Sequence, residues 1–209
     1  MFYFKKTPWW LKQIYSKCLW QVITDKNNIY LTFDDGPHPI ATPFVLAVLK
    51  KYDAKATFFC IGKNVALYPD IYESIIAGGH KVANHTYDHL NGWKTGDNIY
   101  LENISRAAGL IESNLFRPPY GKITFRQINL LSQKTIGLKV IMWSVLSGDF
   151  DKTVSNQKCL SNVIVNAGKG SIVVFHDSEK ALEKLQFTLP HVLDYFTKLN
   201  FKFDKIEVK

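Results

Sequence analysis

A pair of histidines has the spacing of a metal site. His85 and His89 lie four residues apart, so two imidazoles could face one ion, with a carboxylate from another part of the chain as third ligand. Two neutral histidines and one aspartate leave positions open for water and substrate, which is typical of catalytic sites. We expect one divalent metal ion, with Zn²⁺ first and Co²⁺, Ni²⁺ or Fe²⁺ as alternatives. An ordinary helix surface would show the same histidine spacing.

The adjacent residues Asp34 and Asp35 supply two carboxylates that cannot easily bind one ion together. Successive side chains of an extended segment point to opposite sides. We therefore expect one carboxylate to bind the metal and the other to be free to accept a proton. Turn or helix-cap chemistry is the alternative interpretation, because Asp-Asp-Gly-Pro is a common turn sequence.

His176 ends an apolar run and offers a candidate proton donor. A lone histidine at such a position is usually a core residue. A carboxylate beside it, such as Asp149, would instead hold the imidazole protonated and ready to donate. The chain thus contains candidate metal ligands, a candidate base and a candidate acid.

Short apolar runs alternate with helical stretches along the chain. Strands are predicted at 27–33, 55–61, 80–84, 115–116, 138–143, 171–176 and 201–208, and helices at 41–52, 65–77, 97–113, 123–134, 155–167 and 179–199. This alternation predicts an α/β fold with a parallel sheet, and about seven units favour a closed or nearly closed barrel over an open doubly wound sheet. Catalytic groups of such folds gather at the C-terminal ends of the strands, and four of the six histidines fall there.

Composition and charge exclude several classes of protein. The 209 residues are 46% hydrophobic and 21% charged, which fits a globular domain with its own core. No apolar run approaches the roughly 18 residues of a membrane span, so no transmembrane anchor is expected. The net charge is +8, but only three of 26 basic residues are arginine and the lysines are dispersed. We therefore expect no nucleic-acid partner, and we expect a monomer.

The first 26 residues form an aromatic and basic segment, which we expect to pack on a catalytic domain formed by residues 27–209. Lysines interrupt any signal-peptide core, so no secretory signal is visible and the sequence alone points to the cytoplasm. The alternative for this segment is an amphipathic helix that makes peripheral contact with a membrane. Three widely spaced cysteines are expected to stay reduced. They are Cys18, Cys60 and Cys159.

Five short motifs together resemble those of the NodB-type polysaccharide deacetylases, carbohydrate esterase family 4. In chain order they are Thr32-Phe33-Asp34-Asp35-Gly36, His85-Thr86-x-x-His89, Arg117-Pro118-Pro119-Tyr120, Asp149-Phe150 and Val174-Phe175-His176. Each motif alone is modest, but five in order are specific, and the resemblance covers about residues 28 to 205. It implies a distorted (β/α) barrel and metal-dependent hydrolysis of acetyl groups, usually on N-acetylated amino sugars.

The resemblance implies roles for the first three motifs. Asp34 looks like the general base and Asp35 like the carboxylate ligand of the metal. His85 and His89 resemble the two imidazole ligands. Arg117 would orient the base.

The resemblance also implies roles around the substrate. His176 looks like the general acid, with Asp149 tuning it, and the backbone N–H of Tyr120 would help hold the oxyanion. Val174 would line the pocket for the acetyl methyl group. Phe150 stands where the family usually has tryptophan, and the first acidic residue of that motif is missing. These departures affect the expected substrate preference more than the expected activity.

We expect the substrate to be N-acetylglucosamine units of peptidoglycan or a chitin-like glycan. The alternatives are an O-acetyl esterase acting on acetylated xylan, a non-sugar amidohydrolase and a non-catalytic binding module. An Fe(II) oxygenase also uses two histidines and one carboxylate, but its usual His-x-Asp spacing is absent here. Four aromatic side chains could stack on sugar rings and favour a carbohydrate. They are Tyr87, Trp93, Tyr120 and Phe150.

Overall fold

A curled parallel sheet forms the centre of the computed structural model, which describes residues 3–133 and 136–208. In these ranges the strands are β1 (Asn28–Asp34), β2 (Ala56–Cys60), β3 (Lys81–Asn84), β4 (Leu115–Phe116), β5 (Lys139–Val140), β6 (Val145–Leu146), β7 (Ile172–His176) and β8 (Lys202–Phe203). The helices are α1 (Trp9–Ile14), α2 (Ala41–Lys51), α3 (Gly62–Leu67), α4 (Pro69–Ala77), α5 (Asp97–Ala108), α6 (Phe125–Leu131), α7 (Asn156–Ile164) and α8 (Leu182–Lys198).

The strand order is that of a distorted (β/α) barrel, which confirms the predicted fold class. The sheet runs β5-β4-β3-β2-β1-β7-β6, and β8 pairs with the first residues of β1. All the strand pairs are parallel. Parallel strands need helical crossovers, and these helices cover the outer face of the sheet. The C-terminal ends of the strands therefore meet at one end of the barrel.

Alternation along β1 sends functional and structural side chains in opposite directions. Leu31 and Phe33 join the core between the sheet and the helices, where Phe33 stacks on Phe58 at 5.0 Å between ring centroids. The alternate residue Asp34 faces the barrel interior, because successive side chains of a strand point to opposite faces. The register pairs Asp34 with His176 of β7. Two candidate catalytic groups thus lie at the same level of neighbouring strands.

The N-terminal segment makes backbone contacts along the edges of β5 and β6. Lys6 forms an antiparallel bridge with Val145, and Leu19 forms a parallel bridge with Ile141. The N–H of Thr7 donates to the carbonyl of Ser144 at 2.9 Å. Among the described residues, no helix is long and apolar enough to cross a membrane. The division of the chain at residue 27 stays a prediction.

Several predicted elements have different limits in the structure. The predicted helix 65–77 is two helices, because the chain leaves the helical region at Tyr68 before Pro69 begins α4. The predicted strand 138–143 shortens to β5, and the two-residue strand β6 follows it unpredicted. The predicted helix 97–113 ends earlier, at Ala108. The last residue of the predicted helix 123–134 lies outside the described residues. All three cysteines are buried free thiols.

Candidate active site

Three side chains converge at the C-terminal end of the barrel with the geometry of a metal site. Asp35, His85 and His89 each offer a ligand atom, and these atoms lie within 4.8 Å of one another. The Asp35 Oδ1 atom lies 3.7 Å from Nε2 of His85 and 3.2 Å from Nε2 of His89. One carboxylate and two imidazoles are a donor set that suits Zn²⁺ and related divalent ions.

The protonation of these side chains also fits a metal ion. Nδ1 of His85 donates to the backbone carbonyl of Arg117 at 2.7 Å, so Nε2 keeps its lone pair for a ligand. Burial lowers the pKa of His85 to about 4, so its ring is neutral near pH 7. Burial opposes ionisation of Asp35, but its hydrogen bond with His89 and the positive charge of His176 hold its pKa well below its usual range. The carboxylate is therefore charged and the His85 ring neutral, as metal ligands must be.

Unusual backbone conformations bring the three candidate ligands together. Asp35, Thr86 and His89 have φ values of 80°, 64° and 57° in the left-handed region, where non-glycine residues are uncommon. The two histidines lie on a loop after β3, so the helix-surface interpretation of their spacing is wrong. Asn84 holds this loop, since its Oδ1 accepts the N–H of Thr86 at 2.8 Å. Such strain at a cluster of ligands is typical of functional sites.

The second carboxylate of the pair, Asp34, is bound to a buried arginine. Nη1 of Arg117 donates to Oδ1 of Asp34 at 2.6 Å and to Oγ1 of Thr32 at 2.7 Å. Arg117 is fully buried, its Nη2 donates to the Met142 carbonyl at 3.0 Å, and its guanidinium lies over the Phe59 ring. These contacts fix the Arg117 guanidinium in one position, and the guanidinium in turn orients the Asp34 carboxylate.

The buried Asp149 and the partly buried His176 form a second pair. Oδ1 of Asp149 accepts from Nδ1 of His176 at 2.8 Å, and Oδ2 accepts the backbone N–H of the same residue at 2.7 Å. Burial would lower the pKa of His176, but the charge and hydrogen bond of Asp149 outweigh it and raise the pKa to about 10. The imidazole is therefore protonated at neutral pH, with Nε2–H as its free donor.

We expect Asp149→Asn to shift the alkaline limb of the pH–rate profile to lower pH. A raised pKa keeps His176 protonated until the pH passes that pKa, so loss of the carboxylate charge should end activity at a lower pH. The profile of kcat/KM between neutral and strongly alkaline pH measures this shift. Asp194→Asn, which removes an exposed carboxylate on α8, is the control. An unchanged alkaline limb in Asp149→Asn would show that His176 is not the titrating acid.

The remaining residues expected to contact substrate surround these pairs. Tyr120 lies in a turn with φ of 60°, its ring is exposed, and its hydroxyl lies 3.1 Å from Nδ1 of His89. Val174 is buried on β7 two residues before His176, so the two side chains point to the same face of the sheet. The Phe150 ring meets the His176 ring edge to face at 5.1 Å.

The exposed aromatic side chains differ in their access to a ligand. Trp93 is 56% exposed, and its Nε1 donates to the Ile123 carbonyl at 2.9 Å, which fixes the ring at the surface. The Lys122 ammonium lies over this ring at 3.9 Å from the centroid and occupies one of its faces. Tyr87 instead packs against the core, and the Arg106 guanidinium covers its ring at 3.5 Å from the centroid. The expectation that Tyr87 stacks on a sugar is therefore wrong, because its face is already occupied.

Asp177 supports the candidate site, although the sequence indicated no role for it. Its Oδ1 accepts the N–H of Gly36 at 3.1 Å, and the Thr42 hydroxyl donates to its other oxygen. A Cβ atom on Gly36 would lie 2.1 Å from this carboxylate, so only glycine fits there. Burial raises the pKa of Asp177 to about 8. Asp177 thus anchors the loop that carries Asp34 and Asp35. Its position directly after His176 is the only feature of the sequence that could have indicated this role.

Tyr3 reaches the candidate site from the other end of the sequence. Its ring centroid lies 5.2 Å from that of Phe150, and its hydroxyl donates to Oδ2 of Asp151 at 3.0 Å. Tyr3 therefore supports the ring that packs on His176. No local pattern could indicate this contact, because 147 residues separate the partners.

We expect Tyr3→Ala to raise KM for a glycan substrate about three- to tenfold, because Phe150 would lose its supporting ring. The effect on kcat should be smaller, since the Asp149–His176 pair keeps its hydrogen bonds. Tyr3→Phe should retain most of the wild-type KM, and Tyr195→Ala, which removes an exposed tyrosine on α8, is the control. Wild-type kinetics in Tyr3→Ala would contradict the support of Phe150 by this ring.

Comparison with known proteins relates the chain to a single family. The family model described as polysaccharide deacetylase matches residues 21–141. The chain is 34% identical over 165 residues to a chitooligosaccharide deacetylase of Azorhizobium caulinodans. This alignment covers 75% of this chain and 77% of that protein. It is 31% identical over 190 residues to a peptidoglycan-N-acetylglucosamine deacetylase of Bacillus cereus. This alignment covers 88% of this chain and 88% of that protein.

A solved structure extends this similarity to the whole fold. The crystal structure of the Bc1960 peptidoglycan N-acetylglucosamine deacetylase superimposes with a TM-score of 0.86 and 28% identity, covering 96% of this chain and 95% of that chain. The matched region makes up 88% of the Bacillus cereus deacetylase but only 32% of the peptidoglycan-N-acetylmuramic acid deacetylase of Bacillus subtilis. The chain therefore belongs to the polysaccharide deacetylase family, as a NodB-type member of carbohydrate esterase family 4.

Proposed function

We propose that this protein is a metal-dependent hydrolase that removes the acetyl group from N-acetylglucosamine units of a polysaccharide, either peptidoglycan or a chitin-like glycan. One observation carries the proposal: the Asp35, His85 and His89 cluster shares one end of the barrel with a buried Asp–Arg pair and a partly buried Asp–His pair. Hydrolysis of an amide needs both a base and an acid, and these two pairs supply one of each.

The three ligand residues would hold one divalent ion, with Zn²⁺ as our first choice and Co²⁺, Ni²⁺ or Fe²⁺ as alternatives. When bound, such an ion supplies a Lewis acid that polarises the acetyl carbonyl and lowers the pKa of water. His85 contributes Nε2 as a ligand atom because its Nδ1–H is already bonded to the Arg117 carbonyl. Support for the ion also comes from the family, since its members are metal-dependent.

Asp34 would act as the general base in the first half of the reaction. Its Oδ1 is bound to Arg117, so the free Oδ2 would accept a proton from the attacking water as the water oxygen bonds to the acetyl carbon. Arg117 would keep this carboxylate oriented, and the backbone N–H of Tyr120 would donate to the developing oxyanion. One donor of this kind contributes about 3–4 kcal/mol to transition-state stability in other hydrolases.

His176 would act as the general acid in the second half. Asp149 holds Nδ1, so the proton on Nε2 would pass to the sugar nitrogen as the carbon–nitrogen bond breaks. The products balance as acetate and a free amine on the glycan. Val174 would form part of the pocket for the acetyl methyl group, and the Phe150 ring would form one side of the site next to His176.

The substrate class rests on the relatives and on the aromatic surface near the site. The relatives compared above are named for chitooligosaccharide and peptidoglycan deacetylation. Tyr120 exposes its ring beside His89, and such rings stack on sugar faces. A monomeric state and the lack of a nucleic-acid partner stay predictions of the sequence.

A panel of acetylated substrates tests the proposed reaction. We expect acetate release from chitooligosaccharides or peptidoglycan, and His176→Gln should lose most of it because it cannot donate the proton. Release from acetylated xylan alone would contradict the N-deacetylase and favour the O-acetyl esterase. No release from any of the three substrates, by protein shown to hold metal, would contradict the proposal and favour another amide or a binding role.

A further inference from the structure

The outward face of α1 is apolar, although a surface helix normally presents polar residues to water. Trp9, Trp10 and Ile14 are 76%, 44% and 53% exposed, and none of the six residues of α1 is buried. Leu11 and the following Tyr15, four residues apart, pack against the core instead. The helix is thus held on the protein through Leu11 and Tyr15, and the outward-facing Trp9 and Trp10 contribute little to the core.

The same segment is strongly cationic. Lys5, Lys6, Lys12 and Lys17 lie within the first 24 residues, which contain no aspartate or glutamate. None of these lysines forms an ion pair within residues 3–133 and 136–208. Burial and the charge of Lys6 lower the pKa of Lys12. A partner for this surface must therefore accept aromatic side chains and carry negative charge.

Two other occupants fit this surface less well. A second copy docked through the same face would bring four lysines together, Lys5 and Lys12 from each copy, without any acid from the segment to pair with them. A neutral sugar chain would stack on flat, parallel rings, but Phe4 and Trp10 meet edge to face with planes at 87°. An anionic bilayer accepts tryptophan at the level of the headgroups and attracts lysine through its surface potential.

We propose that the N-terminal patch, formed by Phe4, Lys5, Trp9, Trp10, Lys12 and Ile14, docks the protein on the surface of a bilayer that contains anionic lipids. This inference goes beyond the proposed function and does not depend on it. The patch begins one residue after Tyr3, whose ring contacts Phe150 beside His176. A docked protein would therefore hold one wall of its candidate active site next to the bilayer.

Co-sedimentation of the full chain with lipid vesicles tests this inference. We expect binding to vesicles that contain phosphatidylglycerol, weak binding to pure phosphatidylcholine, and release by high salt because the lysine contribution is electrostatic. The double variant Trp9→Ser/Trp10→Ser should bind about tenfold more weakly, since both anchoring rings are lost. The double variant Lys5→Gln/Lys12→Gln should show a similar loss and a weaker dependence on salt.

A matched control and a second readout keep the test decisive. Ile99→Ser/Val165→Ser removes two exposed apolar side chains from α5 and from the end of α7, and it should bind as the wild type does. Quenching of wild-type tryptophan fluorescence by brominated anionic lipids reports insertion without any variant. The inference is overturned if the wild type fails to bind anionic vesicles, or if the tryptophan variant binds them equally well. It is also overturned if the tryptophan variant loses only a dimer and keeps its vesicle binding.

Discussion

Asp34→Asn is expected to lower kcat for deacetylation by about 10²- to 10⁴-fold while the bound metal stays at the wild-type level. Asparagine keeps an oxygen that can accept from Nη1 of Arg117, which lies 2.6 Å from the present carboxylate, but it cannot take a proton from water. The proposed metal ligands are other residues, so we expect their geometry to stay as it is. Steady-state kinetics and metal analysis of the same preparation measure both parts of this prediction.

The neighbouring carboxylate provides the control for the assignment of Asp34. Asp35→Asn should lose metal as well as activity, because Asp35 is the only carboxylate of the three-residue cluster. The thermal unfolding of Asp34→Asn must also be measured, since Arg117 is fully buried and would lose its charged partner. If folded Asp34→Asn kept wild-type turnover, Asp34 would not be the base.

His85→Ala is expected to lose both the metal and about 10³-fold or more of the activity. His85 is only 2% exposed and its position is fixed by the hydrogen bond to the Arg117 carbonyl, so its loss removes a well-placed imidazole from the cluster. Metal content measured beside acetate release tests the two losses together. His191→Ala, which removes an exposed histidine on α8, should change neither. A folded His85→Ala protein that still holds one ion would contradict the assigned ligand.

The fold could be predicted to the extent that its strands are long enough to show a pattern. Strands that are buried on both faces appear in the sequence as continuous apolar runs, and Ile172–His176 is the clearest example. The strand Val145–Leu146 has only two residues, which carry no period, and its place is set by pairing with β7. The break at Tyr68 was missed because the Pro69 that follows it is compatible with the first turn of a helix.

The candidate site could be predicted in its residues but not in its backbone. The pair of Asp149 with His176 was expected from their chemistry, and the structure brings them together. The left-handed conformations of Asp35 and His89 could not be expected, because neither residue is glycine. The contact between Tyr3 and Phe150 depends on the path of the whole N-terminal segment, which no local spacing records.

Removal and return of the metal ion test the central claim of this account most directly. The purified protein is treated with a chelator, assayed for acetate release from an N-acetylglucosamine oligomer, and assayed again after Zn²⁺ is added. The account predicts that release falls to background with the chelator and returns with Zn²⁺, and that His85→Ala stays inactive throughout. Full release by protein shown to be free of metal would contradict the role assigned to Asp35, His85 and His89.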